Sequence, residues 1–423
     1  MPDSLDALFA FLTAALIALI LVPVAEAIAR RLGAIDLPSE RSLHNAPTPR
    51  LSGIAILVGV LVSGAIFLPW DPETRSILGG AAAIAAVGMI DDLFDLPAGI
   101  KLIGQVIAAA IPASAGVTID VVTIPFAGGI EPGATELFDL PLLGEFDLGQ
   151  LITVVGIVAM ANVINLIDGV DGLAAGVCVI SAATLAAIAL SLDRNAAGIL
   201  AAATAGGALG FLRHGFPPAS SFMGDTGSNL LGFMLGAIAI QGALKTNAVV
   251  ALAFPLLVLA VPILDTGFVI AKRLKYKQPI YKADRWHFHH RMADIGFSQR
   301  RTIAYMYAWT LAMAGVALAL RFVPYSDDRG NFDTAWTVVM LGVLAIAVAA
   351  SFYLIYVLEI LKLRRFRFRQ AAAAHPEAAL SEQQVDAGVA HELQTGSFAT
   401  VDPETGEFKA VDPETGEFEA VSE

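Results

Sequence analysis

Cysteine is nearly missing from this chain: one residue in 423, Cys178. A lone cysteine closes no intrachain disulfide and excludes a metal site built on paired cysteines. It lies in an apolar run and reads as a small core hydrophobe. Charge is also scarce. Asp, Glu, Lys and Arg make up 15% of the residues, and 56% are hydrophobic, whereas a soluble domain carries about 25% charge. The apolar residues come in runs too long for a soluble fold to cover. The first, Leu8–Ala25, has no basic stretch before it, so it reads as a first membrane span and not as a cleaved signal peptide.

A helix needs about 20 apolar residues to cross a bilayer. Eleven stretches qualify as candidates: 5–28, 51–70, 75–90, 101–116, 149–166, 172–191, 196–213, 227–243, 248–271, 302–322 and 335–361. Several are short but rich in Gly and Ala, which suits close helix packing inside a bundle. The expected fold is therefore an all-α integral membrane bundle of ten or eleven transmembrane helices. Lys and Arg mark the cytoplasmic side. Nine fall in 272–301, five between Lys362 and Arg369, and Arg30, Arg31, Arg41 and Arg50 fall in 29–50. By contrast, 117–148 has six acids and no Lys or Arg, and its weak alternation predicts a small β-hairpin outside. These assignments agree on an outside N-terminus and a cytoplasmic C-terminus, in a bacterial cytoplasmic membrane.

The net charge of −13 describes mainly a tail. Residues 370–423 hold twelve acids and one base, Lys409. This segment repeats Val-Asp-Pro-Glu-Thr-Gly-Glu-Phe at 401–408 and 411–418. Its charge and low hydrophobicity predict a disordered cytoplasmic tail, separate from a membrane domain over 1–369.

Four polar stretches interrupt the apolar pattern. Asp91-Asp92 and Asp95 follow a span, ahead of Lys101 and Gln105. Carboxylates beside a bilayer are costly and point to function. Adjacent acids suit a hydrated Mg²⁺ or a phosphate, although a solvated loop is the plainer reading. Asn162, Asn165 and Asp168 are three apart, so neighbours share a helix face, before Gly169, Asp171 and Gly172 open a tight loop. Their amide and carboxylate oxygens are hard ligands that fit Mg²⁺, and interhelical hydrogen bonding is the alternative. Gly224-Asp225-Thr226-Gly227-Ser228 opens another span. It reads either as an anion site at a helix start or as a plain N-cap by Asp225. Arg285, His287, His289, His290 and Arg291 make a cationic, donor-rich loop suited to diphosphate. A zinc site and a solvated basic loop compete with that reading.

Together these residues resemble the polyprenyl-phosphate N-acetylhexosaminyl-1-phosphate transferases, of the glycosyltransferase family 4 type. The resemblance runs in order over 36–300. It includes His44 to Arg50 leading to Ser52-Gly53, the Asp91/Asp92 pair, Asn162 to Gly172, Gly224 to Ser228 and the His-x-His-His loop. It implies a multi-spanning, Mg²⁺-dependent enzyme, with Mn²⁺ able to substitute. Such an enzyme moves HexNAc-1-phosphate from a UDP-N-acetylhexosamine to a polyprenyl phosphate and releases UMP. His287-Phe288-His289-His290 is similar to the branch that uses UDP-GlcNAc; three consecutive histidines mark the branch that uses UDP-MurNAc-pentapeptide. Two departures stand out: Ser52 where glycine is usual, and Gly215 where asparagine is common.

The resemblance also implies roles. Asp225 is the expected Mg²⁺ ligand, helped by Asn165 or Asp168. Asp91 and Asp92 would position or deprotonate the acceptor phosphate, with Asp168 and Asp171 beside them in the catalytic set. Lys101 would bind phosphate, and Arg50, Asn162 and the His/Arg loop would bind substrate. A second copy of the chain is an expected partner; nucleic acid is not. The rival class is a secondary transporter, which would place ionisable residues near mid-membrane and show inverted repeats. Here the acids sit at span ends, and the membrane part shows no clear repeat.

Overall fold

The computed structural model describes residues 2–37, 47–119, 122–124, 128–140, 144–244, 253–275, 287–295, 297–324, 333–374, 398–401, 408–411 and 418–419. They form two compact units, one of residues 1–266 with 303–343 and one of 267–302 with 344–423.

The first unit is a helical bundle. Its helices are α1 (Pro2–Leu32), α2 (Gly53–Phe67), α3 (Pro72–Phe94), α4 (Ala98–Ser114), α5 (Leu148–Ile167), α6 (Leu173–Ser191), α7 (Asn195–Gly215) and α8 (Gly224–Ala239). A π-turn, Ile240–Leu244, continues α8. Then come α9 (Ala253–Val258), α10 (Ala260–Lys275), α11 (Phe288–Ile295), α12 (Gln299–Phe322) and α13 (Thr334–Ala374), of which α11 belongs to the second unit and α10, α12 and α13 are shared between the units. Seven helices (α1, α3, α5, α6, α7, α12 and α13) are long and apolar enough to cross a membrane, and α2 and α4 are shorter apolar helices. The chain is a multi-pass membrane protein. Within the expected span at 248–271, the described residues, from 253 on, form two helices. Pro262 has no N–H to give, and its ring meets the carbonyl of residue 258, where α9 ends.

Helix starts follow local chemistry. Asp71 caps α3, its carboxylate accepting from Thr74 N at 2.7 Å, with Pro72 in the first position. Asp147 and Gln150 form a capping box at the start of α5 (2.8 and 3.1 Å). Small residues set the closest contacts. Ala7, Ala10, Ala14, Ala18, Val22, Ala25 and Ala29 make a buried stripe along α1. Facing it on α7, a Cβ at Gly210 would lie 2.9 Å from the Cβ of Ala18, and one at Gly206 would run into the Phe11 backbone. Only glycine permits that approach.

Short antiparallel strands close the bundle. β1 (Ile35–Asp36) pairs with β2 (Thr48–Pro49) just before α2. Between α4 and α5, where one hairpin is expected, two form: β3 (Val122–Ile124) with β4 (Gly128–Ile130), and β5 (Glu136–Leu140) with β6 (Gly144–Asp147). Because α3, α4 and α5 alternate in direction, these hairpins lie at one end of the bundle, and Asp91, Lys101 and Asn165 lie at the other.

In the second unit the tail is not wholly without structure. β7 (Phe398–Val401), β8 (Phe408–Val411) and β9 (Phe418–Glu419) pair as an antiparallel meander. The repeat supplies a Phe and a β-branched or small residue in alternation, a strand pattern that average composition hides.

Candidate active site

The site grows from a close backbone contact. A Cβ at Gly88 on α3 would lie 2.5 Å from the Asp225 carbonyl carbon and 2.6 Å from Thr226 N. α3 therefore lies directly against the start of α8, and Asp92, one turn further, falls beneath the N-terminus of that helix. Its buried carboxylate accepts from Asp225 N (2.9 Å), Thr226 N (2.9 Å) and Thr226 Oγ1 (2.7 Å). Asp92, not Asp225, thus caps α8. Gly224 has a φ of +67°, and a Cβ there would meet the Asp92 carboxylate at 2.5 and 2.7 Å, so glycine is required on both counts.

With capping supplied from α3, the Asp225 side chain is free to face other groups. It receives the Lys101 ammonium from α4 and Asn165 Nδ2 from α5 at 2.9 Å. Lys101 also pairs with Asp91 at 3.0 Å, and the other Asp91 oxygen accepts from Leu96 N at 2.7 Å. Lys101 therefore bridges the two carboxylates. Arg50 donates twice to the Asp92 carbonyl (3.1 and 2.8 Å) and once to Asp95 (3.1 Å), tying the segment after β2 to the end of α3.

Behind the carboxylates runs a line of amides. Asn162 Nδ2 donates to Gln105 Oε1 at 2.8 Å, Gln105 Nε2 to Asn229 Oδ1 at 2.9 Å, and Asn229 Nδ2 to the Asp225 carbonyl at 2.8 Å. Asn165 adds Ser228 Oγ at 2.9 Å. Asn162 is thus a link in the frame, separated from Asp225 by Gln105 and Asn229. Gln105, noted in the sequence after Lys101, joins this frame, and Asn229 is a frame residue not singled out from the sequence. Its signal was available: an amide in an apolar helix needs a partner inside the bundle.

The loop from Asp168 to Gly172 forms the opposite wall. Asp171 accepts from Ala219 N at 3.1 Å. Gly172 takes a φ of +73°, and its carbonyl accepts the Tyr307 hydroxyl of α12 at 2.6 Å. Asp168 ends α5, and among the described residues its carboxylate has no hydrogen-bond or salt-bridge partner. Burial raises its pKa well above the ordinary carboxylate value, and the charges of Asp225, Asp92 and Asp171 push the same way. A cavity of about 250 Å³ opens here, lined by Arg50, Asp92, Asn165, Asp168, Asp171 and Asp225 among others.

Both departures from the resembled pattern have local accounts. Ser52 is buried, and its hydroxyl shares a hydrogen bond with Ser221 at 2.5 Å. Gly215 lines the cavity, where a Cβ would fall 2.5 and 2.6 Å from the Phe211 ring.

The histidine cluster belongs to the second unit, and Arg285 lies outside the described residues. The rings of His287 and His289 stack at 5.6 Å, and those of His289 and His290 lie 4.3 Å apart. Among the described residues, neither ring nitrogen of His289 has a hydrogen-bond partner. Burial, with His290 and His287 adding, holds its pKa well below the ordinary imidazole value. Burial thus favours the neutral form of His289 within the cluster. The Arg291 guanidinium is buried 3.8 Å from the Phe268 ring centre and 5.5 Å from that of Phe288, a cation–π contact.

The arrangement can do specific chemistry. Five carboxylates (Asp36, Asp92, Asp168, Asp171 and Asp225) line the cavity against one guanidinium, that of Arg50, which leaves it short of positive charge. Among the described residues no three His, Cys, Asp or Glu side chains converge as a ready-made cage. Mg²⁺ needs no such cage, since it keeps waters and takes substrate phosphates beside one or two carboxylates. The hard oxygens of Asp168, Asp225 and Asn165, with Asp168 unpartnered, fit that ion.

Comparison with known proteins adds a second line. Residues 74–243 match the family model described as glycosyl transferase family 4. A Bacillus subtilis protein named "Probable undecaprenyl-phosphate N-acetylglucosaminyl 1-phosphate transferase" is 38% identical over 303 residues, which is 70% of this chain and 80% of that relative. The decaprenyl-phosphate N-acetylglucosaminephosphotransferase of Mycobacterium tuberculosis (strain H37Rv) is 34% identical over 80% of this chain and 87% of its own. A phospho-N-acetylmuramoyl-pentapeptide-transferase of Moorella thermoacetica is 32% identical over 75% of this chain and 99% of its own.

Proposed function

The chain belongs to glycosyl transferase family 4, and on that premise we propose that it transfers N-acetylglucosamine 1-phosphate from UDP-GlcNAc to a polyprenyl phosphate, releasing UMP. The observation that carries this reading is the unpartnered Asp168 carboxylate, facing Asp225, Asp171 and Asp92 across one cavity at an end of a membrane bundle. That charge pattern calls for a cation with phosphates, and the relatives named above act on polyprenyl-phosphate acceptors. The site faces the cytoplasm of a bacterial cell, the side that the Lys- and Arg-rich stretches mark.

In the reaction an oxygen of the lipid phosphate bonds to the β-phosphorus of the donor. The bond from that phosphorus to the bridging oxygen breaks, and UMP leaves with the electron pair. A phosphate monoester has a second pKa of about 6, so the acceptor is largely a dianion at neutral pH and positioning outweighs deprotonation. Asp168 would hold Mg²⁺, with Asp225 and the Asn165 amide beside it. When bound, the ion neutralises charge on the diphosphate and the leaving group. Lys101, fixed between Asp91 and Asp225, would meet phosphate oxygens that reach this pair. Arg50 holds the end of α3 and so the cap that orients Asp225.

The test is UMP release by purified protein in detergent with undecaprenyl phosphate, Mg²⁺ and a panel of UDP-sugars. Release from UDP-GlcNAc that needs both lipid and metal is expected. Release only from UDP-MurNAc-pentapeptide would move the chain to the other branch. No release from any donor, in folded protein, would overturn the reading.

A further inference from the structure

The loop between α5 and α6 is gripped from outside itself. Its own backbone closes near each end, with Asp168 N bonded to the Asn165 carbonyl (3.3 Å) and Leu173 N to the Val170 carbonyl (3.0 Å). Neither bond touches the Asp168 carboxylate, which has no hydrogen-bond or salt-bridge partner among the described residues. Where that carboxylate points is therefore set by the loop backbone, and the backbone by what holds it.

Two helices supply the grip at Gly172. One is α7, at its end. A Cβ at Gly172 would lie 3.1 Å from Leu212 Cδ1, 3.2 Å from the Gly215 carbonyl oxygen and 3.3 Å from Phe216 Cα. The other is α12, through Tyr307, whose hydroxyl donates to the Gly172 carbonyl at 2.6 Å. That carbonyl already accepts Gly176 N at 3.0 Å, at the start of α6, so the tyrosine takes its second lone pair. Gly176 makes the room: a Cβ there would overlap the Tyr307 hydroxyl and ring. One hydroxyl thus bears on the residue where the loop becomes α6, next to Asp171.

α12 gives that hydroxyl a firm base. Further along it, Arg321 donates from Nε to Ser191 Oγ at 2.8 Å and makes a second bond to the Ser191 carbonyl. Ser191 ends α6 as Gly172 begins it. The two helices therefore run parallel, pinned by polar bonds about 21 Å apart along α12 at 1.5 Å per residue. Of the two pins, only the one at Tyr307 meets the aspartate loop.

We propose that Tyr307 is a positioning residue: its hydroxyl fixes the Gly172 carbonyl and thereby holds the loop of Asp168 and Asp171 in the conformation that receives Mg²⁺. This rests on the metal role given to Asp168 above and adds what aims it.

The experiment compares two variants. Tyr307→Phe keeps the ring beside Gly176 and removes only the hydroxyl. Arg321→Gln loosens the same pair of helices at the other pin and serves as the control. Both are read without substrate, by hydrogen exchange at the amides of residues 169–173 in chelator and by Mn²⁺ binding followed with electron paramagnetic resonance. Tyr307→Phe is expected to speed that exchange and to weaken Mn²⁺ binding, each about fivefold. Arg321→Gln is expected to lower the melting temperature in detergent and to leave both readouts as in the wild type. In turnover, Tyr307→Phe should need about fivefold more Mg²⁺ and keep its kcat once Mg²⁺ saturates. Wild-type exchange in Tyr307→Phe overturns the proposal, and so does faster exchange with unchanged Mn²⁺ binding. An equal shift in Arg321→Gln also overturns it, since the effect would then belong to the packing of α12 as a whole. If the wild type binds Mn²⁺ but releases no UMP, the proposed reaction falls, and exchange and binding still decide the role of Tyr307. If the wild type binds no Mn²⁺, this proposal falls with the metal role, and UMP release still decides the reaction.

Discussion

The start of α8 and the loop after α5 each set an aspartate beside glycine at a helix end, on one cavity, yet they are built in opposite ways. At the start of α8 nearly every polar group is engaged: Asp92 accepts three hydrogen bonds, Asp225 receives Lys101 and Asn165, and Ser228 and Asn229 are bonded in turn. In the loop the backbone is held, by Tyr307 at Gly172 and by Asp171 at Ala219, but among the described residues the Asp168 carboxylate has no hydrogen-bond or salt-bridge partner. Saturated polar groups make a frame, and a carboxylate that opens onto a cavity is where a ligand can bind. The contrast separates residues that hold the site from the residue that awaits a ligand.

The largest expected effect tests the ligand side. Asp168→Asn and Asp225→Asn should each lower turnover by on the order of a thousandfold, read as UMP release across a Mg²⁺ titration. Near-normal turnover in Asp225→Asn would remove it from the metal site. Next comes the frame. Asp92→Ala strips three hydrogen bonds from a buried helix start and should cost about 3 kcal/mol, seen as a lower melting temperature in detergent. If stability held while turnover fell, Asp92 would be a reacting group and not a cap.

The same measurement should move the other way at Asp168. Its folded pKa is raised, so between the ordinary carboxylate pKa and the folded one the folded state binds more protons than the unfolded state. Stability therefore falls as pH rises through that window, and the neutral asparagine escapes the loss. In chelator at neutral pH, Asp168→Asn should melt above the wild type; below about pH 4 the gap should close. Added Mg²⁺ should narrow it by stabilising the wild type alone. The smallest effect is expected at Tyr307→Phe, which removes one hydrogen bond to Gly172 and about 1 kcal/mol. It should raise the Mg²⁺ concentration needed for half-activity and leave the KM for UDP-GlcNAc alone. No change in metal response would confine Tyr307 to packing.

Much of this was legible because membrane chemistry writes in large letters. Long apolar runs name the helices, and Asp91, Asp92, Asn162, Asn165, Asp168 and Asp225 stand out where charge and amides are costly. What could not be read is which aspartate does what. Asp91 and Asp92 are neighbours in sequence, but a helix turns them 100° apart, one toward Lys101 and the other under α8. That division depends on Gly88, which only the packing of α3 on α8 makes meaningful. Tyr307 was invisible for a similar reason. A tyrosine in an apolar helix is ordinary until Gly172 brings a carbonyl to it. The break at Pro262 was open to reading but was passed over inside a hydrophobic run.

The amide line from Asn162 through Gln105 to Asn229 has a further consequence. None of its members titrates, and Gln105 and Asn229 each accept at one end and donate at the other, so the line carries no net charge. During turnover the cavity takes in a diphosphate and a second phosphate and then releases UMP, so the local field swings by several charges. A scaffold of lysines and acids would re-pair at each step, trading partners with every arrival. Amides keep the same neighbours throughout. The layer behind the carboxylates is thereby deaf to the moving charge, and Asp225 returns to one position between cycles.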